Sequence, residues 1–163
     1  VPARAPEGQP ALSGANIGDI LRPGQEVIVQ IVKEPIGTKG PRVTTHITLP
    51  GRYLVLMPTV DYIGISRRIE SDRERERLKE MAARLKPEGM GVIVRTAADG
   101  VEEEELRQDV QLLSRLWRKI QQRASHGPVP ALLHRDLELV QRILRDVFTE
   151  DVARLTRPFF EPS

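Results

Sequence analysis

Cysteine is absent from the 163 residues. That excludes disulfides, thiolate zinc sites, iron–sulfur clusters and cysteine nucleophiles within this chain. It also suits a reducing, cytoplasmic compartment. Aromatic residues are scarce: the sequence holds Tyr53, Tyr62, Trp117, Phe148, Phe159 and Phe160 and no others. No apolar run approaches the roughly 20 residues of a membrane-crossing helix. The start does not read as a signal peptide, and it lacks an initiator Met, so the piece is expected to begin inside a longer protein. An excess of one charge is missing too. Lys plus Arg number 25 and Asp plus Glu 23, for a net charge of +2. Such balance does not by itself point to a nucleic-acid partner, so charge placement has to carry that argument.

What is present divides by pattern. The opening VPARAPEGQP is rich in proline, and residues 1–16 read as a linker or loop. A helical turn is expected over residues 16–21, capped by Asn16, and Pro23-Gly24 makes a turn. EVIVQIVK, residues 26–33, is mostly β-branched and nearly continuous in apolarity. That predicts a strand buried on both faces. EPIGTKGP follows as a hairpin loop. RVTTHITL (42–49) reads as the returning strand and RYLVLM (52–57) as a third.

The period then lengthens. Ser71 and Glu74 have capping-box spacing, and Leu78, Met81 and Leu85 line one helical face, ended by Pro87 and Gly89. GVIVRT (91–96) predicts a short buried strand. From Glu102 to about Arg123 a long helix carries Leu106, Val110, Leu113, Trp117 and Ile120 as one stripe. Its four opening glutamates suit the helix dipole. Residues 131–134 read as a strand, Asp136 caps a last helix through Phe148, and 152–155 suggest a further strand. Strands first, then strands alternating with helices, predict an α+β protein with a β-hairpin module joined to a small mixed domain.

Few residues suggest chemistry. His46, His126 and His134 have no ligand spacing and read as structural or exposed. Gly37-Thr38-Lys39-Gly40 lacks P-loop spacing. DRERERLKE (72–80) alternates in sign, as a solvated helix face does. Three features have two readings each. Lys39, at a glycine-flanked hairpin tip, is a turn lysine or a phosphate contact. Arg67-Arg68 is a surface pair or a basic site before a helix. Arg95-Thr96 ends a buried strand, where binding groups are displayed on a rigid scaffold. A guanidinium fork beside a hydroxyl suits a terminal phosphate.

In order, GQEVIVQIVKEPIGTKGPRVTTHITLPGRYLVLMP, GISRRIE and PEGMGVIVRTAA strongly resemble the ribonuclease E/G family of bacterial endoribonucleases. The likeness runs from about Ile17 to about Val152. It implies that residues 17–49 are the second half of an oligonucleotide-binding (OB) barrel and 50–155 a sensor of the RNA 5′ end, leaving 156–163 as a tail. It implies a 5′-monophosphate site in which the Arg95 and Thr96 side chains act with the backbone of Gly51 and Val55. Lys39 then matches a barrel lysine that contacts RNA, and Arg67 and Arg68 match the family's basic pair. The implied partner is single-stranded RNA with a 5′-monophosphate, and the full-length enzyme is expected to be a cytoplasmic homo-oligomer in RNA processing and decay.

The departures define further expectations. No Asp-Ile-Asn-like motif is present, so the magnesium of catalysis is assigned to a catalytic domain outside this chain, and the chain alone is expected not to cleave RNA. The family's cysteine-based zinc link has no counterpart, so no cofactor is assigned to these residues. The barrel's first strands would precede Val1, and RPFFEPS does not follow the family pattern. Two other readings stand beside this one: a noncatalytic RNA-binding or regulatory module that keeps only the sensor, and a structural helix-and-sheet domain.

Overall fold

A computed structural model describes residues 16–137 and 139–147. The chain divides into two compact units between Leu133 and His134. In the first unit, helix α1 (Ile17–Ile20) opens with the Asp19 carboxylate accepting from the Asn16 N–H at 3.2 Å. Gly24, at φ +80°, makes the turn after it. Strands β1 (Gln30–Lys33) and β2 (Arg42–Thr44) then form an antiparallel ribbon. At its tip Ile36 and Lys39 exchange backbone hydrogen bonds of 3.1 and 3.0 Å around Gly37-Thr38. Gly37 has φ +58°, which a two-residue hairpin turn asks of its first central residue.

This ribbon departs from the expected strands in two ways. The strand predicted over 26–33 begins only at Gln30, and it is not buried: Ile31 is 62% exposed, and Val29 and Val32 are exposed as well. Burial on both faces needs a covering layer on each, and the described strands close no barrel. The strand predicted over 42–49 breaks after Thr44, whose hydroxyl accepts from the His46 N–H at 3.1 Å. The chain resumes as β3 (Leu49–Pro50) in a different sheet. Gln30 ties ribbon to sheet, accepting from the Thr48 N–H at 2.8 Å and donating to the Thr48 carbonyl at 3.1 Å.

The second sheet holds β3, β4 (Leu54–Met57), β6 (Gly91–Val94) and β5 (Ile63–Ile65), in that spatial order. β4 is antiparallel to β3 and β6, while β5 lies parallel to β6. Parallel neighbours need a crossover, and α2 (Asp72–Leu85) supplies it. Strand β5 was not among the expected elements. At three residues with a central Gly64, it is too short for alternation to register. Residues 131–134 form no strand: Leu133 is half-buried and its carbonyl accepts from Arg123 at 2.9 Å, with no ladder partner alongside. In the second unit α4 spans Leu139–Val147. Residues 1–15, the expected strand at 152–155, the helix end at Phe148 and the tail lie outside the described residues.

Helix α2 packs on β5 and β6, α3 (Glu103–His126) on β3 and β4, and the helices touch each other. The predicted α3 stripe is buried in full, against Leu54, Leu56, Val92 and Val94 from the sheet and Leu78 from α2. Each such leucine contributes about 2 kcal/mol on removal from water. Ser71 accepts from the Glu74 N–H at 3.3 Å, but the reciprocal half of the capping box is not made. The Glu74 carboxylate instead takes Arg77 at 2.7 and 2.6 Å and the Gly100 N–H at 3.0 Å. Arg77 also donates to the Val101 carbonyl at 2.9 Å. Part of the charged run thus ties α2 to the loop before α3.

One charged side chain is buried among the described residues: Asp109, 8% exposed. It sits on the inner face of α3 and accepts the backbone N–H groups of Arg52 (3.2 Å), Tyr53 (2.8 Å) and Leu54 (3.1 Å). A Cβ on Gly51 would lie 2.6 Å from Asp109 Oδ1 and 2.7 Å from Cγ. Gly51 is therefore required for room.

Hydrogen bonds to a charged acceptor are worth about 1.5–3 kcal/mol each. Asp109→Asn keeps the shape but turns an NH2 toward backbone donors. It should cost about 3 kcal/mol in urea unfolding; a loss below about 1 kcal/mol would show that the clamp does not hold the fold. Gly51→Ala should destabilise by a similar mechanism.

The Arg77 guanidinium, seconded by the Gly100 N–H, holds the Glu74 carboxyl down from 4.5 to about 2. A lowered folded-state pKa stabilises the fold fully above the unfolded value and is lost as pH falls through the folded one. Glu74→Gln should therefore be less stable than the parent above about pH 4.5, with the gap closing toward pH 2. Acid titration of both unfolding curves checks this, and a gap independent of pH would count against it.

Candidate nucleic-acid interface

Sheet topology gathers distant segments at one end. β5 and β6 run parallel, so Ser66 follows β5 where Arg95 follows β6; the Ser66 N–H donates to the Val94 carbonyl at 2.9 Å. β4 runs the other way, so its start and the β3–β4 turn lie at the same end. There the Arg95 N–H donates to the Tyr53 carbonyl at 2.7 Å. Loops on a rigid sheet end are a usual place to display binding groups.

Arg95 does more than point outward. Its Nη1 donates to the Gly51 carbonyl at 2.6 Å and the Arg52 carbonyl at 3.1 Å. The β3–β4 turn is thus held by its amides on Asp109 and by its carbonyls on Arg95. Thr96 is exposed and opens a single 3-10 turn (Thr96–Ala98). Its hydroxyl lies 2.8 Å from Ser66 Oγ, which accepts from the Arg68 N–H at 3.3 Å. Arg52 stacks its guanidinium 5.1 Å from the Tyr53 ring centroid, within cation–π range.

Of the residues singled out from sequence, Gly51, Arg95 and Thr96 come together here, and Arg67 and Arg68 follow directly after Ser66. Val55 is half-buried inside the sheet, opposite Pro50 on β3 and Ile93 on β6, and its backbone belongs to that ladder. Arg67 also borders a shallow cleft of about 280 Å³ shared with Ile69, Glu70, Asp72 and Arg75. Two carboxylates there offset the two arginines. Lys39 is exposed at the ribbon tip, on the other sheet, and the structure does not bring it to the Arg95 group.

Three contributors were not singled out from sequence: Arg52, Ser66 and Asp109. A signal existed for Asp109, which stands three residues after Leu106 and four before Leu113 on an otherwise apolar stripe. A carboxylate at such a position needs buried donors. Ser66 had no comparable signal, because its role depends on β5 pairing beside β6. Among the described residues no group of three or more His, Asp or Glu side chains could hold a metal ion. No helix among those residues is long and apolar enough to cross a membrane.

Comparison with known proteins agrees with the motifs. The profile of the Ribonuclease E/G family matches residues 48–157. The chain is 50% identical over 143 residues to Ribonuclease E of Nostoc sp., covering 88% of this chain and 21% of that protein. It is 48% identical over 140 residues to Ribonuclease G of Haemophilus influenzae, covering 86% and 28%. To Ribonuclease G of Escherichia coli it is 46% identical over 151 residues, covering 93% and 31%. It spans about a fifth to a third of the length of these curated relatives. Both the profile match and the extent of identity show that the chain belongs to the ribonuclease E/G family.

Proposed function

We propose that this chain is the RNA-binding and 5′-monophosphate-sensing part of an endoribonuclease acting in RNA processing and decay. The observation that carries this reading is the meeting of Arg95, Thr96 and the Gly51 turn at one end of the sheet. A terminal monophosphate carries more negative charge than an internal phosphodiester. A guanidinium beside a hydroxyl, over a turn whose amides and carbonyls are already committed, offers it a charge-assisted contact with fixed geometry. In this reading the backbone of Gly51 and Val55 meets the phosphate by sharing groups that the turn and the strand ladder already bond, Arg67 and Arg68 supply positive potential beside Ser66, and Lys39 meets the RNA backbone separately. Residues 17–49 are then part of an RNA-binding barrel and 50–155 the sensor. Cleavage belongs to carboxylate-bearing parts of the whole protein, a cytoplasmic homo-oligomer in this reading, and binding here would position the strand for it.

The test compares matched oligonucleotides with 5′-monophosphate and 5′-hydroxyl ends at fixed salt. Thr96→Val removes one hydroxyl at constant shape and should weaken the monophosphate RNA several-fold, leaving the 5′-hydroxyl RNA unchanged. Arg95→Ala should weaken the monophosphate RNA roughly ten-fold or more, and Arg95→Lys should also lose affinity because a point charge cannot replace the fork. Lys39→Ala should weaken both RNAs alike. Equal losses for both 5′ ends on Thr96→Val and Arg95→Ala, in folded variants, would refute the sensor assignment. The purified chain with magnesium should leave RNA intact; cleavage that a substitution within the chain abolishes would overturn that part.

A further inference from the structure

Charge along α3 is segregated. Its first turns are acidic and paired: Glu103 accepts from Arg84 at 2.8 Å and Arg107 at 2.6 Å, and Glu104 meets Arg107 at 3.4 Å. Beyond Asp109 the next acidic residue is Asp136. The interval contains Arg115, Arg118, Lys119, Arg123 and Arg135, with two of the three histidines. A net charge of +2 over the whole chain conceals this.

The cations face outward. With Leu106, Asp109, Val110, Leu113, Trp117 and Ile120 buried, helical spacing puts Arg115, Arg118 and Lys119 on the opposite face, flanked by Gln111 and Gln122. All five are exposed, and they span about 16 Å of helix. Among the described residues no carboxylate pairs with Arg115, Arg118 or Lys119. Arg115 stands at i,i+3 to Arg118 and i,i+4 to Lys119, a like-charge arrangement that weakens a helix. The helix dipole does not account for it. That effect is confined to the last turn, where Arg123 and His126 lie, and Arg123 is engaged with the Leu133 carbonyl at 2.9 Å.

We propose that this outer face of α3 is a second RNA contact, taking the sugar–phosphate backbone without regard to sequence or to the 5′ end. It rests on the RNA-binding reading above but on different residues. Cations at one-turn spacing complement a row of phosphates, and the interleaved glutamine amides can donate to phosphate or 2′-hydroxyl oxygens. A lipid surface fits less well. An interfacial helix inserts its apolar face, and that of α3 is buried against the sheet.

The test is a triple variant, Arg115→Gln, Arg118→Gln and Lys119→Gln, in the whole chain, with melting used to confirm folding. Binding of an unstructured RNA is titrated over a range of salt. Loss of three phosphate contacts should weaken 5′-monophosphate and 5′-hydroxyl RNA equally, by roughly ten-fold or more at low salt. It should lower the log–log salt slope by about 2. The control removes three charges from α2, as Arg73→Gln, Lys79→Gln and Arg84→Gln, and should change the slope far less. An unaltered slope in the α3 variant, an equal loss in the α2 control, or no RNA binding by the parent chain would overturn the proposal. So would a loss confined to phosphatidylserine vesicles, which would assign the face to a membrane. Failure of the 5′-end reading alone looks different: Arg95→Ala would weaken the monophosphate and hydroxyl RNAs equally, or neither, while the α3 variant still weakened both.

Discussion

The Asp109 carboxylate is the constraint on which the sheet end depends. Three consecutive backbone amides, from Arg52 to Leu54, converge on its two oxygens. A two-residue hairpin turn ordinarily satisfies its own polar groups across the strand pair. Here only the Gly51 N–H does so, donating to the Leu54 carbonyl at 2.8 Å; the other amides are satisfied by a side chain from a helix more than fifty residues later. An unpaired carboxylate at that depth would cost several kcal/mol, so the turn and α3 hold each other in place. Gly51 follows as a steric consequence, because any Cβ would occupy the carboxylate's position.

Arg95 completes the same device from the opposite polarity. It reaches the Gly51 and Arg52 carbonyls while its own N–H extends the β4–β6 ladder to Tyr53. The turn is thus bracketed by an acid on its donors and a base on its acceptors. Such a loop keeps its shape at the cost of few degrees of freedom when a ligand arrives, which is how preorganised sites limit ordering entropy. It also means that Arg95 has a structural task apart from any ligand. Thr96 has no such task beyond its contact with Ser66.

Sequence made some of this legible and hid the rest for identifiable reasons. The α3 stripe, the α2 face and the buried GVIV strand are long or regular enough for periodicity to find them. The family followed from three motifs in order. The ribbon misled because Val27, Val29, Ile31 and Val32 have core composition while the described layers leave them exposed and only Ile28 packs against the core; composition reports what a strand could bury, and packing decides what it does. β5 was hidden by its length and by Gly64, whose environment is set by the Tyr62 ring just before the strand and by Ile93 across the sheet. At the candidate site, Arg95 and Thr96 were visible as a strand end. Asp109 was not singled out, because a stripe read for apolar residues passes over the polar one that explains its neighbours.

Charge placement gives α3 two unlike halves on one rigid rod. In the first, acids are consumed by Arg84 and Arg107, and Asp109 by the turn. These interactions join the helix to α2 and to the sheet. In the second, the buried side is ordinary core while the exposed side concentrates cations that repel one another. Folding alone does not favour that arrangement, because a Glu at 111 or 122 would pair with Arg115, Arg118 or Lys119 and strengthen the helix. The glutamines found there keep helical propensity while leaving the positive potential undiminished. Position matters as well. Asp109 fixes the helix against the turn, and Arg115 begins about 9 Å further along the axis by helical rise. A phosphate-binding face on the second half would therefore stand at a fixed offset from the Arg95 end, set by the same carboxylate that organises the turn.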